Sequence, residues 1–310
     1  MFSKKSKIAV IGAGKIAFSL IYALKNAGYN INTIISRNLK SAENLAEKLL
    51  VKNYSNNFND LSLQTKIFFL SVPDNQINVT VDKIADQNLY FQNSLFIHLS
   101  GTEDITNLNS LKEKGALTAS FHIMQTFPSK KIIDIKNCYA AVETDNKHAE
   151  NYLFKLASEL KLKPFKLKAE NKARYHLAGV FASNFLVGNI FNSEKIFNIS
   201  KKDKNYNNYE FLIPIIKSTL HNIKKLGSPN ALSGPIERGD ITTIEKHISS
   251  LKKLIEDSNE FNKVYFSYVI QSLNLLNVVK YKYKEFNKGH LEIQQLLIEE
   301  LRSLNDISED

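Results

Sequence analysis

Lys172 and His176 stand four residues apart in a helical pattern, and Gly179 and Ser183 continue the spacing, so the four share one face of an otherwise apolar helix. A lysine or imidazole on such a face can donate a proton to a developing alkoxide or amide, and Gly179 permits close approach of a ligand or a neighbouring backbone. The plainer alternative is a first-turn lysine in solvent and a histidine satisfied by a carbonyl. His122 follows the apolar run Ala116 to Phe121 and supplies a second ring, suited to a general acid or an orienting donor or else structural. Arg238 lies in the stretch SGPIERGD, where Gly234, Pro235 and Gly239 shape the chain and the guanidinium offers a fork for a carboxylate or phosphate. The same stretch also reads as an ordinary interhelical loop whose Asp240 caps the next helix. Lys172, His176 and His122 are therefore the candidate catalytic residues, and Arg238 and Ser183 the candidates for holding substrate. The seven histidines show no metal-ligand spacing, so no metal is expected.

These groups need elements to position them. Lys7 to Ile11 is an apolar run of strand length, and Gly12-Ala13-Gly14-Lys15-Ile16-Ala17 then opens a helical pattern. Gly12 suits a tight turn, Gly14 lets backbone approach a pyrophosphate, and Ala17 keeps helix and strand close, with the helix N-terminus facing the phosphates. A second run, Ile31 to Ile35, ends in Ser36-Arg37. An acidic residue there would hold the ribose hydroxyls of NAD, whereas a hydroxyl and a cation suit the 2′-phosphate of NADP(H), with Lys40 nearby. Strand-length runs at 66–70 and 94–99 end in Ser71-Val72-Pro73-Asp74 and Ser100-Gly101, and strand ends of this kind gather ligands. Asp74 is placed to cap a following helix. Further strands are read at 116–121, 138–142 and 164–167, with a helix over 146–160 between the last two.

After Glu170 strand-length runs give way to helical ones. The reading is a doubly wound, mostly parallel sheet over 1–168 followed by an all-helical domain over 169–310. The segment from Tyr175 to Ser193 carries no charge, but His176, Ser183, Asn184, Asn189 and Asn192 argue against a membrane span, and burial in the protein or in a dimer interface is expected. A polar loop at 198–208 precedes an Ile/Leu-rich helix, and three more helices follow.

Composition narrows the function. Hydrophobic residues make up 43% of 310, enough for a real core, and the single Cys138 excludes an internal disulfide framework and fits a reducing cytoplasm. The basic, partly apolar start imitates a secretory signal, but Lys15 interrupts it and the glycine turn explains the apolar residues. The net charge of +10 is spread along the chain without an arginine stripe or a stacking platform, which reads as a solvated surface able to attract anionic ligands, not as a nucleic-acid interface.

VIGAGKIA, the Ser36-Arg37 ending, LSVPD, HLSG, FHIMQTF, YHLAGVFASNFL and ALSGPIERGD occur together and in this order. With them the sequence resembles a family of candidate NADP oxidoreductases that join a Rossmann-like domain to an all-helical domain of unknown function. That family is similar to pyrroline-5-carboxylate reductase, ketopantoate reductase, the β-hydroxyacid dehydrogenases and the deazaflavin-dependent NADP oxidoreductases. The resemblance implies a second domain of the 6-phosphogluconate dehydrogenase C-terminal-like type, which commonly dimerises, and a cofactor site at Gly12, Ala13, Gly14, Lys15, Ile16, Ala17, Ser36, Arg37, Ser71, Val72, Pro73, Ser100 and Gly101. Ile123 stands where the family has proline after its histidine, and Ser233 where it has threonine before Gly-Pro. The β-hydroxyacid dehydrogenases carry lysine and asparagine four apart at the places matched by Lys172 and His176, so the asparagine has become histidine. The expected activity is hydride transfer between NADP(H) and a small anionic keto or imino compound in the cleft between the domains; the alternative is a dinucleotide-binding sensor or scaffold without turnover.

Overall fold

The computed structural model describes residues 2–87, 91–200 and 208–306. Eight strands, β1 (Lys7–Ile11), β2 (Asn30–Ile35), β3 (Asn53–Ser55), β4 (Thr65–Leu70), β5 (Leu95–His98), β6 (Leu117–Ile123), β7 (Tyr139–Glu143) and β8 (Lys163–Lys166), form one sheet in the order β3-β2-β1-β4-β5-β6-β7-β8. Every pairing is parallel except β6 with β7. Helices α1 (Lys15–Asn26), α2 (Leu39–Leu49), α3 (Ile77–Ala85), α4 (Asn109–Glu113) and α5 (Lys147–Glu159) are the crossovers. This is the doubly wound sheet expected.

The strands read as unbroken apolar runs because both faces are covered. Ile8 and Val10 of β1 and Phe69 of β4 join one core with α1, α2 and α5, whereas Ala9, Ile11, Phe68 and Leu70 join another with α3 and α4. In the second core Phe68 and Phe96 stack with ring centroids 4.2 Å apart. The short β3, exposed at Asn53 and Tyr54 and buried at Ser55, is absent from the strands read in the sequence because three residues leave no period to detect. Asp74 caps nothing; its carboxylate instead accepts a hydrogen bond from Thr102 Oγ1 at 3.0 Å, joining the turns after β4 and β5.

Beyond β8 the described chain is helical: α6 (Lys172–Gly179), a π-helical turn over Val180–Asn184, α7 (Phe185–Ser200), α8 (Asn208–Leu226), the one-turn α9 (Ser228–Ala231) and α10 (Pro235–Arg238), α11 (Ile241–Asp257), α12 (Asn262–Tyr283) and α13 (Lys288–Asp306). Two compact units result, Met1–Leu186 and Val187–Asp310, so the division comes later in the chain than the switch from strands to helices. The second unit has its own core, with Ile244, Leu251, Val269, Leu276, Ile293 and Leu297 from α11, α12 and α13. Asp240 does cap α11, accepting from Thr243 N at 3.1 Å. Most of the polar loop expected at 198–208 lies outside the described residues.

The uncharged segment after Tyr175 is not buried within the chain. Lys172 is the one buried residue of α6, α7 has none, and Phe181, Val187 and Phe191 are 60%, 67% and 56% exposed. Lack of charge indicates an apolar surface but not what covers it. No helix among the described residues is long and apolar enough to cross a membrane.

Candidate functional site

Three strand ends are tied together at the carboxyl edge of the sheet. Gly12 N donates to Ile35 O at 2.7 Å, and Ser71 N donates to Ile11 O at 2.7 Å. Gly12 adopts φ +104°, and a Cβ there would overlap the Ser71 carbonyl; a Cβ on Gly14 would lie 3.1 Å from the same oxygen. Gly12 is thus required by the close passage of β1 over the end of β4 as well as by the turn, and Gly14 relieves a tighter-than-usual contact at the same carbonyl. Gly14 is the N-cap of α1 and brings no side-chain cap, which leaves first-turn N–H groups for an anion. Beside it the Ser71 hydroxyl is buried with no hydrogen-bond partner among the described residues. Ala17 is fully buried against the sheet, as the third position of the turn demands.

A cavity of about 500 Å³ runs from Gly12, Ala13 and Gly14 to Ser36 and Arg37. Arg37 Nη1 donates to Gln76 Oε1 at 3.2 Å, which aims the guanidinium along the cavity wall. Lys40 is engaged elsewhere, 2.8 Å from Glu43. Ser41 and Lys83 line the cavity in its place, and sequence reading missed both because one opens α2 and the other belongs to α3, a crossover away. A neighbouring cavity of about 310 Å³ is lined by Lys15, Ile16, Ser71, Val72, Pro73 and Ser100. The Ser100 hydroxyl accepts from Thr102 N and Glu103 N at 3.2 and 3.0 Å, so its first duty is to shape the turn.

The second cluster forms where α6 meets the sheet. Lys172 is 2% exposed, donates to Ser120 Oγ at 2.6 Å and sits 3.0 Å from Glu143 Oε2. Burial pulls its pKa down while Glu143 opposes the change. Nearby His98 is fully buried; burial, with Lys172 adding to it, lowers its pKa to about 3, and its Nδ1 accepts from Ser100 N at 3.3 Å. Lys172 therefore fastens the first turn of α6 to β6 and β7.

One turn on, His176 faces His122 with ring centroids 6.3 Å apart, and both pack on Gly101. A Cβ at Gly101 would come within 2.9 Å of His122 Nε2 and of His176 Cδ2, so glycine there makes room for the two rings. Gly179 serves likewise for Met124, whose sulfur would be 2.8 Å from a Cβ. The π-helical turn widens the helix here, a device common at functional sites, and directs Ser183 and Asn184 toward the histidines. His122, His176, Ser183 and Asn184 line a cavity of about 260 Å³. Burial first, then His176 and Lys172, lower the His122 pKa to about 4. Tyr175, not anticipated as a site residue, places its hydroxyl 2.9 Å from His122 Nδ1.

Of the residues singled out from sequence, His122, His176 and Ser183 are brought together, Lys172 lies buried beside them without lining the cavity, and Arg238 belongs to the second unit. There it is 60% exposed, 3.8 Å from Asp240, while Glu237 beside it pairs with Lys282 at 2.7 Å. Ser233 lines a separate cavity of about 340 Å³ within that unit, with Asn189, His247, Tyr268 and Gln271.

The sheet order, the glycine turn and the strand-end cavities define a Rossmann-like α/β unit followed by a helical one. Residues 2–123 match the Rossmann-like domain and residues 138–269 match DUF2520, a domain of unknown function, so the chain joins these two domains. No curated protein matches it. Among solved structures it is similar to a candidate NADP oxidoreductase, BF3122 of Bacteroides fragilis, at 22% identity and TM-score 0.71, covering 91% of this chain and 99% of that one. Protein TM1727 of Thermotoga maritima is 27% identical with TM-score 0.67, covering 88% and 99%. A reductive aminase from Aspergillus terreus in complex with NADPH and ethyl levulinate is 15% identical with TM-score 0.60, covering 95% and 98%.

Proposed function

We propose that the protein is an NADP(H)-dependent oxidoreductase acting on a small anionic carbonyl or imine compound. The observation that carries this reading is the pairing, in one unit, of an unpartnered buried Ser71 hydroxyl beside the uncapped start of α1 with a cavity that ends in Ser36, Arg37, Ser41 and Lys83. The first group suits a pyrophosphate and the second a 2′-phosphate, because cations and hydroxyls replace the acidic residue that a free ribose hydroxyl would favour. The structures of similar fold that are described as NADP oxidoreductase or as holding NADPH support it.

When bound, the reduced nicotinamide would supply hydride. In this reading Val72, Pro73 and Ser100 shape the bed for that end of the cofactor, and His122, His176 and Ser183 receive the substrate. A cavity of about 260 Å³ suits a molecule of a few carbon atoms. Lys172 holds α6 in place and Arg238 is the proposed anchor for the substrate's negative charge. Domains over 1–168 and 169–310 remain the functional division, and a homodimer covering the apolar side chains of α7 and α8 is part of the reading, supported by the exposure of Phe191, Phe211 and Ile215.

The test is titration with NADPH and NADH, followed by a screen of oxo and imino acids for loss of the reduced-nicotinamide absorbance. Tighter NADPH binding with turnover of one class is expected. Equal, weak affinity for both nucleotides overturns the cofactor assignment, and tight NADPH binding with no turnover favours a sensor.

A further inference from the structure

The cavity at α6 is bordered by a hydrogen bond whose direction decides what the cavity can offer a ligand. His122 Nδ1 and the Tyr175 hydroxyl are 2.9 Å apart, and no other polar partner competes within that contact among the described residues. Tyr175 is held from two further sides. Its ring meets the edge of Phe165 at 5.7 Å and packs edge-on to His122 at 5.4 Å, so the hydroxyl cannot swing away without breaking both. The start of its helix is fastened three residues earlier by Lys172 to Ser120 and Glu143. A neutral imidazole has one nitrogen that donates and one that accepts, and the bond made at one decides the role of the other. A phenol that donates its hydrogen bond to Nδ1 leaves the ring's own proton on Nε2, the atom beside Gly101, on a ring that lines the cavity. Burial raises the phenol to about 12 and lowers the imidazole to about 4, consistent with a protonated donor and a neutral ring near pH 7.

We propose that Tyr175 is a positioning residue that locks His122 as its Nε2–H tautomer, so that the cavity presents a neutral hydrogen-bond donor suited to a carbonyl oxygen and poorly suited to a protonated imine. A carbonyl oxygen accepts, and gains negative charge as hydride adds to its carbon; a donor at that point strengthens as the reaction proceeds. An iminium nitrogen carries its own N–H and would set two donors against each other. This choice of oxo over imino substrate rests on the function proposed above, whereas the tautomer does not.

The experiment uses the full-length protein labelled with ¹⁵N in its histidine rings, with His122 assigned by loss of its signals in His122→Gln. At pH 7 the wild type should show His122 with a protonated Nε2 and an unprotonated, hydrogen-bonded Nδ1. Tyr175→Phe, which keeps the ring packing, should convert this to a mixture of tautomers and, with an oxo substrate, lower kcat at least about tenfold while leaving NADPH affinity unchanged. A wild-type His122 protonated on Nδ1, or on both nitrogens, overturns the proposal whether or not NADPH is consumed, as does a Tyr175→Phe spectrum identical to wild type. Failure to bind NADPH, with the expected spectra, overturns the oxidoreductase reading and leaves the role of Tyr175 supported. Turnover of cyclic imino acids faster than the matching oxo acids overturns the substrate choice.

Discussion

The turn from Gly12 to Arg37 and the segment from Lys172 to Asn184 carry residues of equally suggestive type, yet they relate to the fold in opposite ways. In the first, each residue's role is readable from its own place on the backbone: Gly12 takes φ +104°, Gly14 caps the start of a helix, and Arg37 lies two residues past the end of a strand. In the second, the role of each side chain is set by what packs against it from β5, β6, β7 and β8. Lys172 and His176 are one helical turn apart, but one ends in a buried ion pair with Glu143 and the other at a cavity wall. A glycine turn can be read as function because its geometry is local; a lysine on a helix cannot, because its neighbours are remote in sequence.

The largest effect that would sharpen this contrast is expected at Gly12. Gly12→Val adds strain at a positive φ to an overlap with the Ser71 backbone, and should destabilise the sheet unit by upwards of about 4 kcal/mol, read as a lower denaturant midpoint. A stable variant that has merely lost nucleotide binding would mean that the turn serves the ligand alone.

Lys172→Met comes next. It strands Glu143 in the interior, which typically costs about 3–5 kcal/mol, and the double variant with Glu143→Leu should recover much of the loss. If Lys172→Met instead kept wild-type stability while turnover vanished, the lysine would be a proton donor and the contrast between anchor and cavity wall would break.

Acid should act on the same region. His122 and His98 fall from the ordinary 6.5 to about 4 and about 3, so at pH 7 both are neutral in folded and unfolded chains alike. As pH drops below 6.5 the unfolded chain takes up protons that the folded one refuses, and stability declines by up to about 1.4 kcal/mol per group per pH unit until the folded values are reached. Thermal melts between pH 7 and 4 should show this decline, and it should be shallower in His98→Gln. Identical profiles for the two proteins would remove His98 from the account.

The smallest effect belongs to Arg37. Arg37→Ala should weaken NADPH binding by about 1.5–3 kcal/mol, leave NADH nearly unchanged and leave the melting temperature alone, since the guanidinium's partner among the described residues is the neutral Gln76. A comparable loss for NADH would show that it reads some part of the nucleotide other than the 2′-phosphate.

Sequence by itself determined seven of the eight strands, the glycine turn with its Ser36-Arg37 ending, the helical nature of the described residues after β8 and the cap at Asp240, because each depends on residues within a few positions of one another. It also picked out His122, His176 and Ser183, though not that they share a cavity. Only the tertiary structure decided that Asp74 binds Thr102 in place of capping a helix, that Lys83 and not Lys40 joins Arg37, that Lys172 is buried against Glu143, and that Tyr175 holds His122. It also left the uncharged segment from Tyr175 to Ser193 without a buried residue in the chain itself, where composition suggested burial in the protein or in a dimer interface. The reason is common to these cases: a side chain's partners and exposure are fixed by residues dozens of positions away, brought together by the tertiary fold and not by the chain's own spacing.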